Sequence, residues 1–375
     1  MNFDIVNEYC LKKHSVLPNT QLNDIEDISR NHLGLHSARI MTPFMTLCSR
    51  VNNFKPDNLI SDLYVEKKII KLRCMRTTLH IVPIDMASIF HKATLDIRLS
   101  DCKLFFKKNN INDEKIYFFK NILSEFITYP RTSYEIECEI KKYIDFGDEI
   151  FKKNFSKKLL KYYWEIGFLC YVNTARCWEK EDRKYGLTKL FYPNINFDLY
   201  DIDIAKEKLI MEYIKVYGPA TLKDIVWWSG ISANDIKKIL NNNINLIHEI
   251  EIDGYILYML ETEYPNLINY SPLKDDWVAL LAYEDPALKA YYETRHRYVD
   301  SKYYNLLFNQ IGEVRASIIY NGKAIGVWEW DKKLKNIKIT YFYKVPKKIQ
   351  QLVQKKKKMY ESMLYPNQQL SLWDI

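Results

Sequence analysis

The chain has 375 residues, 47% of them hydrophobic and 14% aromatic, with a formal net charge of +8 at pH 7. The apolar share excludes an intrinsically disordered protein, and the basic balance permits an anionic partner without specifying one. No run approaches the roughly 18 apolar residues of a membrane span and the start, MNFDIVNEYCLKKHS, lacks a signal pattern, so a cytoplasmic, nucleoid-associated protein without membrane contact is expected.

Residues 1–100 read as a first unit. Leu22 to Leu33, Pro43 to Val51 and Asp57 to Glu66 have helical spacing, and Lys67 to Arg73 and Thr78 to Val82 read as paired strands. Residues 101–200 read as a second unit. A helix is expected from Asp113 to Thr128. Thr132 with Glu135 is a capping box for a helix reaching Tyr143. A further helix runs from Ser156 to Glu165, and Gly167 to Thr174 with the segment after Arg176 reads as a hairpin wing.

Residues 201–272 carry the clearest pattern. A helix from Ile204 to Tyr217 precedes the stretch YGPATLKDIVWWSG, Tyr217 to Gly230. Thr221 with Asp224 is a capping box, Gly230 closes that helix, and Ser232 with Asp235 repeats the box. Two capped helices joined by a short glycine turn make a helix-turn-helix. Ile244 to Ile252, the turn Asp253-Gly254 and Tyr255 to Leu260 then read as the wing.

From residue 273 to 345 the period becomes two. Trp277 to Ala282, Arg315 to Tyr320, Lys323 to Trp330 and Ile337 to Tyr343 read as strands, and Asn321-Gly322 as a hairpin turn. Residues 346–375 read as a basic tail, either a helix or a loose segment. The expected fold is α+β: three tandem winged helix-turn-helix units followed by a small antiparallel β-barrel. The seven cysteines (10, 48, 74, 102, 138, 170 and 177) are scattered without a C-x-x-C pair. They read as reduced thiols. No metal site and no cofactor are expected.

Four blocks resemble one family. CMRTTLHIVP at Cys74 to Pro83, YGPATLKDIVWWSG, LLAYEDPALKAYYETRHRYVD at Leu280 to Asp300 and NGKAIGVWEW at Asn321 to Trp330 are similar to blocks of the winged-helix DNA glycosylases of the AlkZ type. They occur in the family's order. The resemblance implies a concave DNA-binding face and removal of alkylated bases, with crosslinks as substrates of some members. Family enzymes carry Gln-x-Gln or Gln-x-Asp after Gly-Leu or Gly-Val. Here the segment is Gly34-Leu35-His36-Ser37-Ala38-Arg39. His36 falls on the first polar position, and Ala38, which cannot hydrogen-bond, on the second.

His36 is therefore the candidate catalytic residue, as a neutral imidazole that orients water, with Ser37 assisting if it turns the same way. The competing reading is that His36 satisfies a backbone group. Arg39, Arg73 and Arg76 are candidate phosphate contacts, as are Ser232, Asn234, Lys237 and Lys238 on the recognition helix. Trp227, Trp228 and His80 read as core, and Arg295 and Arg297 as phosphate contacts or internal ion pairs. The end of the chain, Gln369-Leu370-Ser371-Leu372-Trp373, resembles the peptide with which bacterial proteins bind the sliding clamp, with Gln369, Leu370, Leu372 and Trp373 as its contacts. The expected function is a monomeric DNA repair glycosylase acting on alkylated purines in double-stranded DNA. The alternative is a non-catalytic winged-helix DNA-binding protein, a regulator or a damage sensor.

Overall fold

In this computed structural model, which describes residues 1–175 and 178–365, side-chain caps set many of the helix starts. Helix Phe3–Lys13, on which the sequence pattern was silent, begins at Asn2, and helix Ile25–Asn31 at Asp24. Helix Thr42–Cys48 follows, then Pro56–Ile60 and the wide turn Ser61–Val65. Strand Ile69–Arg73 pairs with Leu79–Pro83, and the two-residue strand Leu35–His36 adds to the other side of Leu79–Pro83. Helices Ala87–Ala93 and Leu95–Lys108 then lead out of this layer.

The next helices are Asp113–Phe126, Ser133–Lys142 and Glu149–Glu165. The last begins seven residues before the expected Ser156, because the Asp148 carboxylate accepts the Phe151 amide at 2.7 Å. A hairpin of Leu169–Asn173 and Arg183–Leu187 follows. The same order of three helices and a hairpin occurs in Ile202–Tyr217, Leu222–Ser229, Ala233–Asn242 and the strands Ile247–Ile252 and Tyr255–Leu260. Thr221 and Asp224 bond reciprocally at 3.2 Å, and Gly230 stops the helix at φ +75°. The Ser232 box is only half formed. Ser232 accepts the Asp235 amide at 3.1 Å, while the Asp235 carboxylate is held by Lys206 at 2.9 Å and by the Ser232 side chain, with no capping bond from the Ser232 amide among the described residues.

Strands Val278–Leu281, Ser317–Tyr320, Lys323–Asp331 and Asn336–Tyr341 form a four-stranded antiparallel sheet whose two outer strands do not pair with each other. The expected β-barrel is thus an open sheet. The reason is that both faces are already covered, so closure would bury nothing more. Val278, Leu280, Ile318 and Trp328 pack with Phe44, Leu47 and the C-terminal helix Lys347–Leu364. Ala279, Leu281, Ile319 and Val327 pack into the cluster that holds Tyr213, Trp228, Tyr291 and Phe308.

Two buried carboxylates fasten the segment after Val278–Leu281. Asp285 holds Arg50 of the first layer, at 2.6 and 2.9 Å. Asp224 accepts the amides of Tyr292 and Glu293 at 2.7 Å and the Thr294 hydroxyl at 2.8 Å. Residues 283–294 are thereby held between the first layer and helix Leu222–Ser229. No helix among the described residues is long and apolar enough to cross a membrane.

Candidate active site

Gly34 starts the site. Its φ is +96°, and a Cβ there would lie 2.9 Å from Val82 Cγ1, so only glycine fits. The turn delivers Leu35 and His36 onto strand Leu79–Pro83, where His36 lies opposite His80 with the rings edge-on at 5.6 Å. His36 is 7% exposed, and its Nδ1 is buried with no hydrogen-bond partner among the described residues. The ring therefore does not serve as a local backbone tie. His80, in contrast, places Nδ1 3.2 Å from the Thr78 carbonyl. A neutral ring donates there, which leaves Nε2 as an acceptor.

His36, Ala38, Arg39, Arg76, His80, Trp228, Tyr283, Glu284, Lys289 and Glu313 line a cavity of about 300 Å³. Burial, then His80, Lys289, Arg39 and Arg76, push the His36 imidazolium down to about 2. Burial pushes His80 down to about 4 against the support of the Thr78 carbonyl. Both rings are therefore neutral at physiological pH. Arg39 stacks on Tyr283 at 3.4 Å, and Arg76, at φ +51°, on Trp227 at 3.5 Å. Glu284 is 4% exposed. It accepts the Val314 amide at 2.6 Å and pairs with Lys289 at 2.6 Å. A larger cavity of about 780 Å³ shares Ala38, Arg39, Tyr283 and Glu313 and continues along Met41, Met45, Trp328 and Trp330.

The cavity thus offers neutral acceptors, two carboxylates and flanking guanidinium groups. That inventory suits hydrolysis beside an anionic backbone. A family model described as DNA glycosylase AlkZ-like matches residues 31–345. The chain belongs to the AlkZ-like DNA glycosylase family. Among solved structures it is similar to the Streptomyces sahachiroi DNA glycosylase AlkZ, with TM-score 0.77 and 16% identity, over 97% of this chain and 96% of that one. At that identity the likeness establishes the fold. A comparison with curated proteins gave no match.

Within this AlkZ-like chain the candidate residues divide. His36, Arg39 and Arg76 meet at the cavity. Ser37 does not line it. Its amide donates to the Leu79 carbonyl at 2.8 Å, and its hydroxyl is buried with no hydrogen-bond partner among the described residues. Arg73 is held internally, by the Thr77 carbonyl at 2.8 Å and Glu165 at 3.1 Å. Arg295 and Arg297 are buried; Arg295 bonds Tyr304 at 2.7 Å and Arg297 bonds Tyr298 at 3.0 Å. Ser232, Asn234, Lys237 and Lys238 are exposed on or beside Ala233–Asn242, away from the cavity lining. Trp228 is buried at 7% and forms part of the cavity wall. Gln369, Leu370, Leu372 and Trp373 lie outside the described residues.

Sequence reasoning missed Tyr283, Glu284, Lys289 and Glu313. For Glu284 and Lys289 the available signal was the charged trio Glu284, Asp285 and Lys289 within the otherwise apolar stretch Leu280 to Tyr292. Among the described residues, no group of three or more His, Cys, Asp or Glu is placed to hold a metal ion.

Proposed function

We propose that this protein hydrolyses the N-glycosidic bond of alkylated purines in double-stranded DNA, as a monofunctional glycosylase acting as a monomer. The observation that carries the reading is His36: a neutral ring with an unpartnered nitrogen, on a cavity, at the position where the family has its first polar residue. A purine alkylated at N7 or N3 already carries positive charge and leaves readily, so strong acid catalysis is not needed. An acceptor that orients water against C1′ of an oxocarbenium-like transition state suffices. With its imidazolium held down to about 2, His36 positions the water and does not retain its proton.

In this reading residues 1–100, 101–200 and 201–272 are three tandem winged helix-turn-helix units. They grip the duplex from one side, with Arg39 and Arg76 at the cavity rim and Asn234, Lys237 and Lys238 on the recognition helix meeting phosphates. The open sheet at 273–345 backs the cavity. The peptide Gln369 to Trp373 docks on the sliding clamp by burying Leu372 and Trp373, which links excision to replication.

The test is incubation with duplex DNA containing N7-methylguanine, followed by hot alkali to cut abasic sites. Protein-dependent cleavage is expected. Ala38 favours a second reading, a DNA-binding protein without catalysis. Absence of cleavage across simple and crosslinked adducts, with duplex binding retained, would establish that reading instead.

A further inference from the structure

Ala38 removes a hydrogen-bonding group from the cavity, yet the cavity holds two carboxylates besides His36, Glu284 and Glu313. The two differ in how they are held. Glu313 sits half-buried at the end of a turn, and its side chain accepts from Asn309 at 2.7 Å. Glu284 is buried and has a left-handed backbone, φ +54°. A bulky side chain adopts that conformation only where its surroundings impose it, and such positions concentrate at functional sites. Here the imposing contacts are visible. The Glu284 amide donates to the Val314 carbonyl at 2.9 Å, its carboxylate accepts the Val314 amide at 2.6 Å, and the next residue, Asp285, is locked to Arg50. Lys289 fixes the second oxygen at 2.6 Å and is itself anchored on the Gly312 carbonyl at 3.1 Å. A carboxylate has about four acceptor sites, so two named donors leave acceptor capacity for a water or a sugar.

We propose that Glu284 is the catalytic carboxylate of this protein, standing in from a different segment for the polar residue absent at position 38. The inference rests on the glycosylase reading above. In the step it describes, the water oxygen bonds to C1′, and the C1′–N bond breaks with its electron pair leaving on the cationic purine, which becomes neutral. The water held by His36 gives its proton to Glu284, which returns it to solvent. Before transfer, the carboxylate's negative charge favours the positive charge that develops on the sugar.

The test compares single-turnover excision of N7-methylguanine by the full chain and by Glu284→Gln, Glu313→Gln and the double variant Ala38→Asp/Glu284→Gln. Duplex binding and thermal melting are measured on each. Glu284→Gln is expected to lose about 100-fold or more in rate with binding unchanged. Glu313→Gln, which removes the half-buried carboxylate of the same cavity, is expected to lose less than Glu284→Gln. Ala38→Asp, which restores a polar residue at the second position of the family pattern, is expected to recover part of the loss, and a purely structural role for Glu284 would not allow that rescue. Full activity in Glu284→Gln, or a loss matched by lost melting and not recovered by Ala38→Asp, overturns this inference and leaves the glycosylase reading intact. No excision by the unsubstituted chain overturns both.

Discussion

Arg50 and Asp285 form a two-pronged ion pair in which neither side chain is exposed. Arg50 lies just past helix Thr42–Cys48, which follows the His36 segment, and Asp285 adjoins Glu284. The Arg50 guanidinium also bonds Ser49 Oγ at 2.7 Å and His32 Nε2 at 2.8 Å, so its donors are well used. Such a pair contributes little net stability while intact, but leaves an uncompensated buried charge when one partner is removed.

Arg50→Met should therefore destabilise the protein by about 3–5 kcal/mol, read by urea unfolding. Arg50→Met with Asp285→Asn should recover part of that loss, because no lone carboxylate remains. A single variant as stable as the parent would show that Asp285 finds another partner.

His36→Ala should slow excision of N7-methylguanine by about 100-fold without weakening duplex binding. His36→Gln, which supplies the residue that family enzymes carry there, should keep more activity than His36→Ala. Single-turnover rates decide the matter, and equal rates for His36→Ala and the parent would clear the ring of a role.

The histidines should make the protein acid-sensitive. His14, His32, His36, His80 and His91 are all shifted downward, chiefly by burial, with His32 held to about 3, His36 to about 2 and His80 to about 4. Below the ordinary value of 6.5 the unfolded chain takes up protons that the folded chain refuses. Stability must then fall as pH drops through that value, by up to about 1.4 kcal/mol per pH unit for each such ring. Urea midpoints measured from pH 7.5 to 5 should decline steadily. The same shifts imply that excision shows no histidine inflection near pH 6.5, and one that vanished in His36→Gln would contradict them.

Lys237→Ala with Lys238→Ala should weaken duplex binding about equally on any sequence. It should also lower the slope of log affinity against log salt by up to about 2, one for each lysine that no longer neutralises a phosphate. Arg73→Ala should leave that slope unchanged and lower the melting temperature, since Arg73 pairs with the buried Glu165. Fluorescence anisotropy at several salt concentrations separates the two variants.

Leu372→Ala with Trp373→Ala should abolish binding to a bacterial sliding clamp, measured by surface plasmon resonance, and leave excision from free duplex unchanged. Retained clamp binding would remove the terminal peptide from the proposal.

Several elements were legible because their chemistry is local. Thr132 with Glu135 and Thr221 with Asp224 are capping boxes within four residues, and Asp253-Gly254 and Asn321-Gly322 are turns whose positive φ values the residues themselves favour. The Ser232 box formed only in its first half, and the Asp235 carboxylate is also held by a lysine from another helix, Lys206. Helix Phe3–Lys13 carries little polar-apolar contrast, because Asn7 and Glu8 are buried along with its apolar residues, and so it left no periodic signal.

Helix starts, hairpins, the family blocks and the placing of His36 and Ala38 in the family's site pattern could all be read from the order of residues. Each of these is set by residues a few positions apart. The rest depended on long-range packing. Strand Leu35–His36 exists because Leu79–Pro83 lies beside it, and two residues have no strand preference of their own. The sheet stayed open because other segments cover both its faces. Arg73 and Arg297 turned inward, and Arg39 onto the cavity, according to which partners the packing brought near. Glu284 reached the cavity of His36 from a distant part of the chain because Arg50 and Asp285 meet in the core, and no local pattern encodes a meeting of that range.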